Sequence, residues 1–340
     1  MIVDEISSCS GDGVRNSQPE GIGRVAALPG LVAWNNLGRN VVFADTSFMP
    51  LAVFGDTDHP DDDELSQYDL DVHAILPLHG TGLVAVLNHL GTLRAFDAPA
   101  LTRPGRVTPA FTTTFAADVE RTVAAGGHLV GSRPRTEGRG GVLVSEAVTG
   151  GRAGRPLALD AALEDLGEVT ALAAFDVGAD VFVAAAGPGR VALAPFAHGG
   201  IGRPRWIVDV DHRPAALVHD GARLWSAGSE LTSGAIDDYR WEDLRGGAFA
   251  ALDVTDGRTV LRGALPDDVA WGNGGVAVVV VDHELCALGR TGRVHVVSRD
   301  VPPSRPLASA SLGIAHAATV GARVLFGFNR GGYRLFAATP

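Results

Sequence analysis

The sequence predicts an all-β fold made of seven copies of one four-stranded unit, and three observations predict it. The first is a phrase stated twice, "ALPGLVAWNNLGRNVVFADT" (27–46) and "PLHGTGLVAVLNHLGTLRAFDA" (77–98). Both run from an apolar strand through a Gly turn to Leu-Val-Ala, then an Asn-bearing turn closed by Leu-Gly, then a strand ending in Phe-x-Asp. The second is that the Gly-turn hairpin recurs as "AGGHLVGS", "VGADVFVA", "DGARLWSA", "NGGVAVVV" and "VGARVLFG". The first apolar residue after each turn falls at Leu31, Leu83, Leu129, Val181, Leu224, Val276 and Val324, 43 to 52 residues apart. Glycine supplies the positive φ of a tight hairpin, so these are β-hairpins. The third is that only "ALDAALEDLG" (158–167) looks helical, and it lies in a connection. A four-strand repeat of ~40–50 residues is the blade of a β-propeller.

The elements follow in order. After each hairpin comes a third strand: "NVVFADT", "TLRAFDA", "GVLVSEAV", "RVALAPFA", "GAFAALDV", "RVHVVSR" and "YRLFAAT". Fourth strands follow as "PLAVFGD", "VTPAFTTTF", "RPLALDA", "PRWIVDV", "TVLRGAL" and the weaker "RPLASAS". The seventh unit ends at Pro340 without one. A ring left open would expose raw strand edges, so a segment within residues 1–20, "MIVDEIS", is expected to complete blade seven. Residues 21–340 then form a single propeller domain. Strands apolar on both faces suit sheets sandwiched between neighbours.

The repeat as a whole resembles the seven-bladed β-propeller superfamily, and the resemblance spans essentially the full chain. It is one of fold: the Gly-His and Trp-Asp signature of WD repeats is absent, and kelch-type double glycines are not regular. "PEG" (19–21) is faintly similar to the N-terminal glutamate of gluconolactonase-type propellers, which hold a divalent metal on the axis. The rest of that pattern is not present, so no metal ligands carry over.

Composition narrows the partners. A net charge of −11 and a pI near 5.4 argue against nucleic acid or an anionic membrane surface. All 28 basic residues are arginine, which excludes a lysine Schiff base with pyridoxal phosphate, a lysine general base and a phosphate-binding P-loop. No dinucleotide fingerprint, nucleophile elbow or HExxH helix appears. Two cysteines far apart imply no disulfide framework. The longest apolar run, "VAVVVV" (276–281), is strand-length, and the N-terminus lacks a basic start and an apolar core, so a cytoplasmic location is expected.

Ligands of propellers gather where the innermost strands begin, together with the loops joining second to third strands. The strand starts offer His73, Arg121, Thr170, Arg213, Trp271 and His316. The loops offer Asn36, Asn88, His89, Arg133, Arg135, Tyr239 in "DDYRWED", "DHE" (282–284), Asn329 and Arg330. Histidine beside a carboxylate suits acid–base work, and three histidines suit a transition metal. The expectation is a small-molecule enzyme, a hydrolase, lyase or isomerase, acting on a polar or carboxylated substrate. His73, His283, His316 and Glu284 would carry catalysis, with the three histidines as alternative ligands of one divalent metal on the axis. Asn88, His89, Arg121, Arg133, Arg330, Trp271 and Tyr239 would bind substrate. The rival is a non-catalytic scaffold for a protein partner. Each residue also has a plain structural role open to it, as a blade-to-blade hydrogen bond or as turn chemistry. "DTDHPDDDE" (56–64) holds six acids in nine residues without calcium-loop spacing, which makes it a solvated linker.

Overall fold

The computed structural model describes residues 3–8, 22–36, 40–55, 71–115, 119, 121–133, 142–148, 155–156, 161–164, 166–231, 246–272, 275–299, 301–307, 314–328 and 334–340. They form seven antiparallel blades around one axis. Blade one runs outward through Ile22–Leu28, Leu31–Asn36, Asn40–Ala44 and Pro50–Phe54. Blade two runs through Val72–Leu78, Leu83–Asn88, Thr92–Asp97 and Phe111–Thr114. Blade three is Arg121–Ala125, His128–Arg133, Val142–Ala147 and Arg155–Pro156. Blade four is Ala171–Val177, Asp180–Gly187 and Arg190–Ala197, with Gly200–Ile201 and Trp206–Asp209 both pairing on its third strand. Blade five is His212–His219, Arg223–Glu230, Ala248–Asp253 and Thr259–Ala264.

Blade seven contains Ile314–Val320, Arg323–Phe328 and Arg334–Ala338, and its outer strand comes from the opposite chain end. Val3–Ser8 pairs antiparallel with Arg334–Ala338, from Val3 against Ala338 to Ser8 against Arg334. The ring is therefore closed by the N-terminal strand. This covers an edge that would otherwise present unpaired N–H and C=O groups.

Blade six departs from the expected register. Gly275–Val276 and Val278–Val281 pack beside the innermost strands of blades five and seven, so this apolar run is the first strand, not the second. The second strand is Glu284–Leu288 and the third is Val294–Val296. The stretch 304–307 runs along the outer side, where Ser304 N–H donates to Val294 O and Leu307 N–H to Thr291 O.

The core is divided between the blades. Seven apolar clusters are found among the described residues, one at each contact between neighbouring blades. Alternate side chains of one strand serve different clusters, because a strand's side chains point to opposite faces. On the second strand of blade one, Leu31 and Ala33 face blade two with Phe43, Phe54 and Phe96. Val32 and Trp34 face blade seven with Leu325 and Ala337. This two-sided burial explains why the strands are apolar almost throughout.

Candidate functional site

The site begins with backbone irregularity. In four blades the ladder between first and second strands slips near the start of the innermost strand. The slips fall between Ile22 and Val25, Val72 and Ala74, Pro214 and Ala216, and Ile314 and Ala317. A β-bulge inserts an unpaired residue and re-aims its side chain. Three of these four bulges hold an ionisable residue: Arg24 in blade one, His73 in blade two and His316 in blade seven. These blades are neighbours around the closed ring, so the three side chains meet at one end of the channel. Close blade contact holds them there: a Cβ on Gly327, opposite the blade-seven bulge, would lie 2.5 Å from the Ile22 Cβ.

Arg24 is the hub. Its Nη1 lies 2.8 Å from Nδ1 of His316 and also contacts Nε2, while its Nε donates to Val72 O at 3.4 Å. An arginine N–H can only donate, so the accepting imidazole nitrogen carries no proton and His316 is neutral. Burial, followed by the charge of Arg24, drives the His316 pKa well below its usual value. The same two causes lower His73 to about 3. His73 meets His89 edge-to-face, with ring centres 5.2 Å apart. His89 sits in the turn between second and third strands of blade two, with Nε2 3.8 Å from Asp71 Oδ1, and burial lowers its pKa too. Arg24 itself falls to about 9, first through burial and then through repulsion from Arg121, with Asp71 opposing.

Other strand starts reach sideways. Arg121 Nε donates to Thr170 O in the next blade at 3.3 Å, and Arg213 Nη2 lies 2.5 Å from Glu168 Oε2. Below this end lies a cavity of about 190 Å³, walled by Ala171, Leu172, Ala215–Val218 and Val276–Val278, with His316 and Arg121 as its ionisable groups.

The expected residues therefore divide. His73, His89, His316 and Arg121 come together at the mouth. Arg133 ends the second strand of blade three on the same face, and its buried Nε has no hydrogen-bond partner among the described residues. Asn88 closes its own turn: Oδ1 accepts from Thr92 N–H at 2.7 Å, and Gly91 N–H donates to Asn88 O. Trp271 is 3 % exposed within the apolar cluster between blades five and six, which leaves it no face for a ligand. Tyr239 and Arg330 lie outside the described residues, as do the stretches 56–64 and 134–140.

His283 and Glu284 require correction. They follow the first strand of blade six, in a hairpin at the end of the propeller opposite the mouth. His283 is 71 % exposed there, 4.0 Å from Asp220. Glu284 is held by Ser298 Oγ and by Arg299 Nε at 3.0 Å. The three histidines thus do not share a site, and among the described residues no three potential metal ligands are grouped.

Arg24 is the residue that sequence reasoning passed over. It starts the innermost strand of blade one in "GIGRVAAL", the same place that selected His73 and His316 in their own blades.

Comparison with solved structures bears on the fold. The β-propeller domain of Swd1 (Cps50) from Myceliophteria thermophila aligns over 100 % of both chains, with a TM-score of 0.62 and 11 % identity. The chain is a seven-bladed β-propeller. BamB from Moraxella catarrhalis aligns over 93 % of this chain and 84 % of its own, with a TM-score of 0.48 and 11 % identity. No family model matches the sequence, and no curated protein does.

The expectation of a small-molecule enzyme is corrected with its substrate. The likeness to the Swd1 propeller is one of fold and brings no reaction with it. At the mouth, an imidazole with a pKa of about 3 and another pressed against a guanidinium are poor proton acceptors at neutral pH. The fourth expected catalytic group, Glu284, is at the far end.

Proposed function

We propose that this protein is a non-catalytic propeller scaffold that binds a protein partner through the face bearing the channel mouth. One observation carries this reading: exposed apolar side chains stand on that face, around a polar centre. Leu90, in the turn after the second strand of blade two, is 62 % exposed, and Leu231, just past the second strand of blade five, is 49 % exposed. In this reading Leu90 and Leu231 are anchors that bury on binding, and the polar groups of the mouth set the register. The polar centre suits this role because its groups tie the blades together. Arg24 joins blades one, two and seven, and Arg121 and Arg213 each join two blades. A rigid ring loses little order on binding.

The test is a complex of defined stoichiometry, followed through size exclusion with Leu90→Asp and Leu231→Asp, and with Met49→Asp as control. Met49 is 63 % exposed but lies between the third and fourth strands of blade one, at the opposite end. The scaffold reading expects a partner that wild type and Met49→Asp retain and the other two release. A chain that elutes alone from its source, or a partner lost only with Met49→Asp, would refute it.

A further inference from the structure

We propose that Glu146 makes the contact between blades two and three responsive to pH: uncharged it is part of the packing, and ionised it loosens the two blades. Its place in the fold leads there. Glu146 sits on the third strand of blade three and is 5 % exposed. Val144 and Val148 lie on its side of the strand and Leu129 lies across from it. All three belong to the apolar cluster that blade three shares with Leu78, Leu87 and Ala95 of blade two. The buried Oε2 of Glu146 has no hydrogen-bond donor, and the side chain makes no ion pair among the described residues. A second buried carboxylate shows what is missing. Asp220, with a side chain 1 % exposed, accepts from the Ala222 and Arg223 N–H groups at 2.9 and 2.7 Å and from the Trp225 indole at 2.8 Å.

An unpaired carboxyl in an apolar contact favours its neutral form, because ionising it there leaves a charge with neither water nor a partner. Burial accordingly pushes the Glu146 carboxyl up to about 7. The groups around it bring no counter-charge. On the third strand of blade two, Leu93 and Ala95 point toward blade three, and Asp97 continues that side with a negative charge of its own. His79 lies in the hairpin of blade two and Arg103 just past its short helix, and neither pairs with Glu146. Within blade three, Arg121, His128 and Arg155 turn to the other side: Arg121 reaches Thr170 O, His128 meets Phe196, and Arg155 stands opposite Ser145, whose hydroxyl donates to Gly199 O. Because the folded-state value is raised above the ordinary 4.5, the folded chain holds this proton more tightly than the unfolded one. The stability it contributes is complete below about pH 4.5, falls as pH rises and is gone above about pH 7, about 300-fold in the folded-to-unfolded ratio. That sense is opposite to the effect of His73 and His316, whose values are lowered.

Urea unfolding of the full chain from about pH 4.5 to about pH 8.5, wild type against Glu146→Gln, tests this. The two should be nearly equal at the acid end, with the advantage of the glutamine variant growing to about 300-fold by about pH 8. Amide exchange of the two proteins, compared at one pH so that intrinsic rates cancel, locates the effect. Near pH 8 the strands His128–Arg133 and Val142–Ala147 should exchange faster in wild type than in the variant, and near pH 5 almost equally. The strands of blade five should match at both. Glu146→Met is the second neutral variant should the first fail to fold. Carbon-13 NMR of labelled glutamate carboxyls in the wild type, which needs neither variant, should show one group titrating near 7. A variant advantage that does not change with pH would overturn the proposal. So would a variant less stable than wild type near pH 8, since a cation would then compensate the carboxylate. Glutamates that all titrate in the ordinary range, or exchange in blade five that changes as much as in blade three, would overturn it equally. No partner enters any of these measurements, so their outcome is independent of the scaffold reading.

Discussion

At the scale of single residues, the mouth is a set of bases held neutral and cations held close. His73 and His316 both titrate lower in the folded chain than the ordinary 6.5 of an exposed histidine. Between the folded and unfolded values the unfolded chain binds more protons, so stability is complete above about pH 6.5 and is lost as pH falls toward 3. His73 alone would contribute on the order of 5 kcal/mol across that window. Urea unfolding at a series of pH values should show a steep decline below pH 6.5, and His73→Gln should flatten it. An unaltered slope in the variant would mean that His73 binds its proton equally well in the folded and unfolded chain. Little of this was legible from sequence. Position in the repeat picked out His73 and His316, but their burial and the guanidinium between them depend on how three blades close on the axis. Arg24 has no distinguishing neighbour in "GIGRVAAL", and a bulge leaves no mark on composition. Cys286 is a different case: burial pushes its free thiol up to about 12, which leaves it little thiolate to react.

At the scale of elements, hairpins were legible because glycine marks their turns, and the one that failed shows the limit of that signal. "WGNGG" does lie in a short hairpin, with Trp271 paired to Val276 and Gly272 to Gly275, but the turn between the first and second strands of blade six is Asp282-His283. Those two residues adopt φ of 48° and 64° without glycine, a conformation that Asp and His tolerate better than most side chains. Six consecutive apolar residues, 276–281, fit a first or a second strand equally well, so the wrong turn fixed the wrong register and carried His283 to the wrong face. Glycine also acts inside strands. On the second strand of blade five, a Cβ at Gly228 would lie 1.8 Å from Arg213 O, at the bulge beside the mouth. Gly228→Ala would have to push the two strands apart, at a cost of about 3 kcal/mol. Gly80, in the first hairpin of blade two, has φ of +78° and open space around it, so Gly80→Ala should cost only about 1 kcal/mol of backbone strain. Denaturant titration of the two variants should rank them in that order; the reverse ranking would place the tight contact elsewhere.

At the scale of the whole molecule, seven shared cores and a strand borrowed from the other chain end make the ring one closed body. The number of blades and the need for a closing strand followed from strand spacing and from the missing fourth strand of the last unit. Which face the ring offers did not follow, because exposure of Leu90 and Leu231 is set by turns whose sequences look ordinary. The exposed outer strand of blade five, Thr259–Ala264, with Val260 48 % and Leu261 37 % exposed, is the competing surface on the side of the ring. Hydrogen–deuterium exchange of the free protein and of its partner complex separates the two surfaces directly. The account predicts slowed exchange at 88–91, at 229–231 and at the first residues of the innermost strands of blades one, two and seven, with the hairpin at 282–284 unchanged. Protection confined to 259–264 or to the 282–284 end would contradict it.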